Sequence, residues 1–449
     1  MHVTLATMDP LDLLDNLARR RSIRARAGEF LSNLRYRLMG RRALLRAVTR
    51  HYLRSGDFNG LPVPPTLRQS VVTNLIRRGV VSLNRGDRHP NPHIKALEPE
   101  PVDDQVAKIR TGGLEGCLYP EPRHLERVVD RSQYDGCPFS LRLALGQPQL
   151  SHCSFALNVL EHYRNDPRYS FSVSDVDGSM SVRDKYFESD LMEERDQTFL
   201  QTFGFSYDEN MRRAVAVFLR YLHDLTPEHQ RIWEAHLLDG RFALHPDYHA
   251  ASMGHWPEKM PILVAFCEEI HQINEMCRLI GRPTLFRREF QESDRPREFT
   301  FLLRPTLKAF NEFVHLLDKM LSENIDVAFF ENDVPLERDI TRPDGKVVVE
   351  RKGTLQVLAE WLDKAIKLPD PTPKDEMIKT FRAIRKMRQQ PAHTTTEDEF
   401  DESYFAKQRE LIIDAYKAIR TMRLLLANHP ATKSHKVPEW LYKGHIRNF

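Results

Sequence analysis

A long apolar stripe near the C-terminus limits what this chain can fold into more than any other feature. Between residues 402 and 428 large apolar side chains recur three, four or seven positions apart, which places them on one face of a helix. These side chains are Phe405, Ile412, Tyr416, Ile419, Met422 and Leu426. A helix this long buries such a stripe mainly against other helices, so the stripe predicts a helical bundle.

Further amphipathic segments supply the partners for this helix. Residues 304–325, 354–366 and 375–388 each show apolar positions at helical spacing. Between the first two, residues 339–353 read as a β-hairpin with its turn at Asp344-Gly345. The simplest assembly over residues 295–449 is a four-helix bundle with a β-hairpin insert.

The whole chain of 449 residues is too long for one core, because single cores rarely exceed about 300 residues. A Pro-rich and acid-rich stretch, "HIKALEPEPVDD", suggests a boundary near residue 98. The expected division is residues 1–98, 99–294 and 295–449. The fold class predicted for the chain is mainly α and multidomain, with small mixed α/β segments in the N-terminal and middle regions.

The middle region, residues 99–294, shows both strand patterns and helix patterns. Residues 170–182, "SFSVSDVDGSMSV", predict a strand, a turn and a second strand. Residues 211–225 and 261–281 predict helices, and Thr226-Pro227-Glu228 marks a further helix start. Six histidines lie between His223 and His255, but the region has no metal-binding His-Glu-x-x-His sequence.

The positive charge of the chain is concentrated near its N-terminus. Residues 19–54 contain twelve arginines, no lysine and one acid, Glu29, although the whole chain carries a net charge of only +3. Such a cluster attracts polyanions, and interleaved Phe30, Tyr36 and Tyr52 could stack on bases. The alternatives are an acidic surface, within this chain or on a partner, and a membrane surface.

The segment that follows, residues 64–97, predicts a helix that ends at Gly79, a short strand and a turn over residues 84–87. This order resembles the last helix and wing of a winged-helix DNA-binding domain. The predicted nucleic-acid-binding residues of the two regions are all arginines. They are Arg19, Arg20, Arg21, Arg24, Arg26, Arg35, Arg37, Arg41, Arg42, Arg46, Arg50, Arg77, Arg78 and Arg85.

A possible catalytic pair lies between the last two long helices, where residues 385–393 read "RKMRQQPAH". Arg388 and His393 form an Arg-x4-His pattern, which in this helical setting resembles the HEPN family of small helical ribonucleases. The resemblance implies metal-independent RNA cleavage, with RNA rather than DNA as the substrate, and a homodimer or higher oligomer that joins two motifs. It also implies His393 as general acid/base and Arg388 as the phosphate clamp. A toxin or antiviral defence role would follow by analogy.

Two other interpretations of this region stay open. The Arg-x4-6-His pattern occurs at four further places in the chain, so only its position between two long helices singles out Arg388 and His393. In the first alternative, the arginines near residue 388 are a solvated helix face. In the second, the protein is a non-enzymatic nucleic-acid-binding regulator or an interaction scaffold with a degenerate HEPN-like bundle.

Several classes of function are not indicated. The chain has no GxxxxGK[ST], GxGxxG or GxSxG sequence, and its five cysteines form no CxxC pair. We therefore expect no cofactor and no metal. No apolar run is long enough to cross a bilayer and the first residues do not read as a secretory signal, so the expected location is the cytoplasm, without membrane association.

Overall fold

The computed structural model describes residues 39–64, 66–187, 189–252, 254–255, 258–291, 294–342, 344–389 and 397–447. Asp9-Pro10, an acid followed by a proline that predicts a helix start, lies outside these residues. So do Phe30, Tyr36 and the catalytic candidate His393. The same holds for half of the predicted binding arginines, namely Arg19, Arg20, Arg21, Arg24, Arg26, Arg35 and Arg37.

The α-helices are α1 (Arg41–Arg54), α2 (Gln69–Arg77), α3 (Val102–Gly112), α4 (Pro122–Val128), α5 (Pro138–Ala144), α6 (Glu161–Arg164), α7 (Leu219–His223), α8 (Pro227–Glu234), α9 (Pro246–Ser252), α10 (Ile262–Ile280), α11 (Leu307–Met320), α12 (Thr354–Ala365), α13 (Thr372–Gln389), α14 (Ser403–Ala427) and α15 (Glu439–Lys443). Short 3-10 segments lie between some of them, for example Val327–Phe330.

The strands are β1 (Leu61–Pro62), β2 (Val81–Asn84), β3 (Cys117–Pro120), β4 (His152–Phe155), β5 (Tyr169–Val173), β6 (Asp177–Val182), β7 (Phe199–Tyr207), β8 (Arg213–Phe218), β9 (Ala243–Leu244), β10 (Met260–Pro261), β11 (Glu337–Thr341), β12 (Val347–Arg351) and β13 (Ile446–Arg447). Helices make up about 47% of the structure and strands about 15%, so the fold is mixed α/β. Its strand content is larger than the sequence pattern suggests.

One predicted helix is wrong, and strand β8, which replaces it, accounts for part of this difference. Residues 211–225 read as a single helix, but residues 213–218 form strand β8 and only residues 219–223 are helical. Residues 214–218 are all buried, so the run has no polar face that would distinguish a strand from a helix. Pairing with β7 stabilises the extended form, because it satisfies the backbone hydrogen bonds of a fully buried segment.

The chain divides into two compact units. Unit 1 comprises the described part of residues 1–153 together with 194–198 and 217–235, and unit 2 comprises the described part of the remainder. The division into three domains stays a prediction. Within the described residues, no helix is both long and apolar enough to cross a membrane.

Unit 1 begins with helices α1, α2 and α3 packed around a small antiparallel sheet with the strand order β1-β3-β2. Strand β2 follows α2 through Gly79, which has a φ of +62°. The turn after β2 is present, yet the chain passes through α3 before β3 pairs with β2, with Leu83 opposite Leu118. The apolar cluster consists of Met39, Leu44, Val48, Leu61, Leu67, Val71, Val72, Leu75, Ile76, Val81, Leu83, Val106, Ile109 and Leu118.

The larger sheet has the strand order β4-β8-β7-β6-β5, and β9 pairs with β7. The predicted strand-turn-strand at residues 170–182 is confirmed as the antiparallel pair β5 and β6, in which Tyr169 lies opposite Val182. The predicted hairpin near Asp344-Gly345 is also confirmed, because β11 and β12 pair with Asp339 opposite Val349. Gly345 has a φ of +80°, as a tight turn at this position requires.

Five helices of unit 2 pack against one another. Helix α14 contacts α10, α11 and α13, and α13 also contacts α11 and α12. The apolar stripe of α14 is largely buried, with Ile412, Ile419 and Met422 fully enclosed. Between α10 and α14 lies a buried ion pair in which Arg423 donates to the carboxylate of Glu269. Because an unpaired buried charge is costly, loss of either partner would destabilise the packing of these two helices.

Candidate functional site

The first candidate site is the solvent face of α1. Leu44, Val48 and Tyr52 are four positions apart and are buried in the core of unit 1. The opposite side of the helix carries the arginines. Arg42, Arg46, Arg50 and Arg54 are also four positions apart and all four are exposed. Helical periodicity alone therefore separates an apolar face from a basic face on this segment.

The basic face of α1, defined as these four arginines, is not neutralised by its surroundings in the described part of the chain. The helix itself contains no acid, and no carboxylate of the described residues lies within 4 Å of these guanidinium groups. Other arginines are paired, for example Arg278 with Glu289 at 2.6 Å. The alternative that the cluster meets an acidic surface of its own chain is therefore not supported for these four residues.

The remaining predicted binding arginines have different environments. Arg77 and Arg78 are exposed at the C-terminal end of α2. Arg41 Nη1 donates to the side-chain oxygen of Asn74 at 3.1 Å, which joins the start of α1 to α2. Arg85 is half-buried, and its Nη1 donates to the carbonyl oxygen of Gly113 at 3.1 Å. Arg77 and Arg78 can thus reach a ligand freely, whereas Arg41 and Arg85 have structural roles.

The prediction that Tyr52 stacks on bases is wrong. Tyr52 is 1% exposed, and its hydroxyl donates to the carbonyl oxygen of Leu143 at 2.5 Å. Its ring packs edge-on against Phe58 and Tyr119. Its position four residues after Val48 puts it on the buried face of α1, so the ring is part of the core.

A mixed-charge cavity of about 590 Å³ lies beside the turn that follows β2. It is lined by Arg85, Gly86, Asp87, Pro92, Lys108, Thr111, Gly112, Glu115 and Gly116. Lys108 Nζ lies 2.6 Å from Asp87 and 2.5 Å from Glu100, and the contact with Lys108 lowers the pKa of Asp87. Because its lysine is already paired with two carboxylates, this cavity is not a simple phosphate site.

The second candidate site lies at the C-terminal end of α13, where Arg388 contacts two acids. Arg388 Nη1 lies 2.8 Å from Asp318 Oδ2 and also contacts the carboxylate of Glu323. Arg385 Nε lies 3.5 Å from the other oxygen of Asp318. The hydrogen bonds of Arg388 with Asp318 and Glu323 raise its pKa, and the bond with Asp318 has the larger effect. We call Asp318, Glu323, Arg385 and Arg388 the Arg388 cluster.

Asp318 is fully buried, whereas the side chain of Arg388 keeps 28% of its surface exposed. The solvated-face alternative is therefore not supported for Arg385 and Arg388, since both are paired. The structure places Arg388 close to the end of α13 at Gln389, a few positions before the segment that carries His393. It does not describe His393, so the pairing of these two residues stays a prediction.

The acidic segment after His393 is folded onto the protein where it is described. Asp398 Oδ1 accepts the backbone N–H of Lys308 at 2.8 Å, and the carbonyl oxygen of Glu399 accepts that of Leu307 at 2.8 Å. Asp401 Oδ1 accepts the N–H of Ser403 at 2.8 Å. The acids thus cap the starts of α11 and α14, where negative charge is stabilised.

The histidines of the middle region do not assemble into a metal site. Within the part of the chain that is described, no group of three or more His, Cys, Asp or Glu side chains could hold a metal ion. Two of these histidines instead make individual side-chain hydrogen bonds. His223 Nδ1 lies 2.7 Å from Ser140 Oγ, and His245 Nδ1 accepts the N–H of Asp247 at 3.1 Å.

Sequence reasoning missed Asp318 and Glu323, although one signal was present. Asp318 occupies the apolar stripe of α11, four residues after the buried Val314 and directly after the buried Leu317. Arg385 and Arg388 similarly extend the buried stripe of α13 beyond Phe381 and Ile384. Opposite charges at apolar positions of two predicted helices indicate a buried ion pair between them.

Comparisons with known proteins provide no further guide. No family model matches the sequence, and neither the curated proteins nor the solved structures contain a match.

Proposed function

We propose that this protein binds nucleic acid through the basic face of α1, together with Arg77 and Arg78 at the C-terminal end of α2. The observation that carries the proposal is the row of four exposed arginines that no carboxylate of the described chain neutralises. Guanidinium groups spaced along one helix suit the regularly spaced phosphates of a nucleic-acid backbone. Because these contacts are to phosphate, the binding is expected to depend strongly on salt and weakly on base sequence.

The order of α2, β2 and the turn that follows supports a winged-helix-like role for this part of unit 1 in the same proposal. Arg77 and Arg78 lie at the end of the helix that would approach the duplex. The segment from β2 to β3 is much longer than a simple hairpin, because it contains α3. We therefore propose phosphate contacts here and no base-specific contact.

A salt titration of affinity for a duplex and for a single strand tests the proposal. In the test variant Arg42, Arg46, Arg50 and Arg54 are all changed to Gln. In a matched control the exposed arginines Arg241, Arg342, Arg351 and Arg409 are changed to Gln, which lowers the net charge equally. The test variant should lose roughly three to four units of the log-log slope, because each phosphate contact contributes about 0.9 on a duplex. Equal slopes for the two variants would reject the site.

A second candidate function is RNA cleavage by a HEPN-like helical bundle in unit 2. It is favoured by one observation, which is that a partly exposed arginine at the end of α13 precedes the segment carrying His393. In this proposal His393 moves the proton of the ribose 2′-hydroxyl or the leaving oxygen. Arg388 stabilises the charge of the pentacoordinate phosphate. A homodimer that joins two motifs, and a toxin or defence role, are part of the same proposal.

The ion pairs of Arg388 restrict which of its N–H donors can bind a phosphate in this mechanism. Its guanidinium has five N–H donors, and the contacts with Asp318 and Glu323 both use Nη1. The other donors remain for a phosphate, while Asp318 holds the group in place as a positioning residue.

RNA cleavage in EDTA by the wild type, His393→Ala and the matched control His249→Ala tests this second candidate. His393→Ala should lose activity, whereas His249→Ala should keep it. A third variant, Arg388→Lys, should retain less activity than wild type because a lysine lacks the guanidinium fork. Equal cleavage by all variants, or none by the wild type, would reject it. Light scattering measures whether the active species is a dimer.

A further inference from the structure

Unit 2 contains a polar cavity of about 260 Å³ that is lined in part by strands β5, β6 and β7. The cavity is lined by Ser172, Val173, Ser174, Asp177, Gly178, Ser179, Gln201, Thr202, Val264 and Arg295. Neither of the proposals above involves any of these residues.

The cavity coincides with an interruption of the sheet. In the pairing of β6 with β7, Gly178 lies opposite Phe203 and Met180 lies opposite Leu200, with a shift of register between the two pairs. The residues that the shift passes over are Ser179 on β6 and Gln201 and Thr202 on β7. Such irregularities leave backbone groups unpaired and re-aim side chains, and they are common beside binding sites. All three residues that are passed over line the cavity.

Gly178 forms part of the wall and tolerates no side chain. A Cβ atom at this position would lie 2.3 Å from Cζ of Phe203 and 2.6 Å from the carbonyl oxygen of Ser172. The second of these contacts is with backbone, which cannot move aside easily. The glycine therefore lets β5, β6 and the ring of Phe203 approach closely.

One negative group is held in a defined position in the cavity. Asp177 Oδ1 accepts a hydrogen bond from the hydroxyl of Ser174 at 2.7 Å. The oxygen of this hydroxyl accepts the backbone N–H groups of Val176 and Asp177, each at 3.1 Å. The turn thus orients the carboxylate of Asp177. Among the described residues, Asp177 Oδ2 has no hydrogen-bond partner.

One positive group lines the same cavity. Arg295 Nη2 donates to the carbonyl oxygen of Val173 at 3.1 Å, which anchors one end of the guanidinium. Across the described ranges no carboxylate lies within 4 Å of Arg295, so it is not paired with Asp177. Both charged groups therefore remain available to a ligand. The turn that contains Ser174 holds Asp177, and the carbonyl oxygen of Val173, at the end of β5, holds Arg295.

We infer that this cavity binds a small zwitterion of the α-amino acid class. The ligand carboxylate would pair with Arg295 and its ammonium group with Asp177, while the hydroxyls of Ser179 and Thr202 would accept and donate further hydrogen bonds. An anion alone would meet the negative charge of Asp177, and a cation alone would meet the positive charge of Arg295. A ligand with both charges satisfies each group, and Val173 and Val264 leave room for a small side chain.

Ligand-observed NMR and calorimetry with the full chain test this inference, with the protein-forming α-amino acids as probes. At least one of them should bind. Its N-acetyl derivative and its carboxamide should each bind roughly tenfold more weakly or worse, because each modification removes one charge-assisted contact. Ribose 5-phosphate serves as the competing probe, since it presents hydroxyls and an anion without an ammonium group.

Two variants and two matched controls locate the binding. Asp177→Asn and Arg295→Gln should each weaken binding by about tenfold or more, whereas Asp184→Asn and Arg241→Gln, at exposed positions outside the cavity, should bind as the wild type does. Circular dichroism checks that all four fold, and Gln201→Ala, at an exposed lining residue, provides a milder change if one does not. Absence of binding by every amino acid, unchanged binding in the first two variants, or binding of ribose 5-phosphate alone would each overturn the inference.

Discussion

The guanidinium of Arg388 contacts the buried carboxylate of Asp318, with 2.8 Å between Nη1 and Oδ2. The same carboxylate also lies within 3.5 Å of Arg385. One acid on α11 therefore pairs with two arginines on α13, and this joins two helices that sequence patterns identify only as separate amphipathic segments. The relationship makes Asp318 the residue on which the position of Arg388 depends.

We expect Asp318→Asn to lower the free energy of unfolding by about 3 kcal/mol, the lower part of the range for breaking a buried ion pair. The value is at the lower end because Arg388 is 28% exposed and keeps its contact with Glu323. Urea denaturation measures the change. Glu323→Gln is the control, and it should cost less than about 1 kcal/mol because Glu323 is 37% exposed. Similar losses in the two variants would contradict the role assigned to Asp318.

The stability of unit 2 should fall as pH rises through the range in which Asp175 ionises. Burial raises the pKa of Asp175 to about 6, although Arg447 and Arg213 oppose this shift and Asp177 adds to it. Because the folded pKa lies above the unfolded one, near 3.8, the folded state holds the proton more tightly. The protonated form therefore contributes stability below pH 4, and this contribution is lost between about pH 4 and 6.

Asp175→Asn removes this ionisation and isolates its effect. The difference in unfolding free energy, wild type minus variant, should decrease by about 3 kcal/mol between about pH 3 and pH 7, most steeply from pH 4 to pH 6. Arg447 retains Asp247 at 2.7 Å in the variant, so the C-terminal strand keeps one ion pair. Urea titrations at several pH values measure the difference. A difference that does not vary with pH would show that Asp175 does not titrate in this range.

Gly116→Ala should destabilise unit 1 strongly. Gly116 has a φ of +121°, and a Cβ atom there would lie 2.1 Å from the carbonyl oxygen of Asn84. Both the backbone strain and the contact with backbone oppose the substitution, so we expect a loss of more than about 2 kcal/mol. Gly86→Ala is the matched control, because no atom lies within 4 Å of its added Cβ. Thermal unfolding that shifts equally in both variants would be inconsistent with this account.

Tyr52→Phe should lower stability without weakening nucleic-acid binding. The substitution leaves the carbonyl oxygen of Leu143 without its 2.5 Å hydrogen bond, which costs about 1 to 3 kcal/mol. Because the ring is buried, neither variant nor wild type can stack it on a base. Chemical denaturation and a binding titration measure the two effects separately. Weaker binding with unchanged stability would instead indicate that Tyr52 reaches the ligand.

Local patterns of the sequence predicted several elements correctly. The hairpin turn at Gly345, the helix start after Thr226 and the helix end at Gly281 all follow from residues whose backbone preferences act locally. The basic face of α1 also follows from periodicity, since exposed arginines alternate with buried Leu44 and Val48. These predictions succeeded because each depends on residues within one or two turns of the chain.

The sequence by itself determined where α1 is basic and where the long C-terminal helix is apolar, because both are properties of a single helix. Only the tertiary structure decided that residues 214–218 form a buried strand, since an unbroken apolar run fits either a strand or a helix until a partner strand satisfies its backbone. It alone also brought Asp318 to Arg388 and placed Asp177 and Arg295 in one cavity without an ion pair to any described residue. Contacts between residues far apart in the chain arise from packing, which no local pattern specifies.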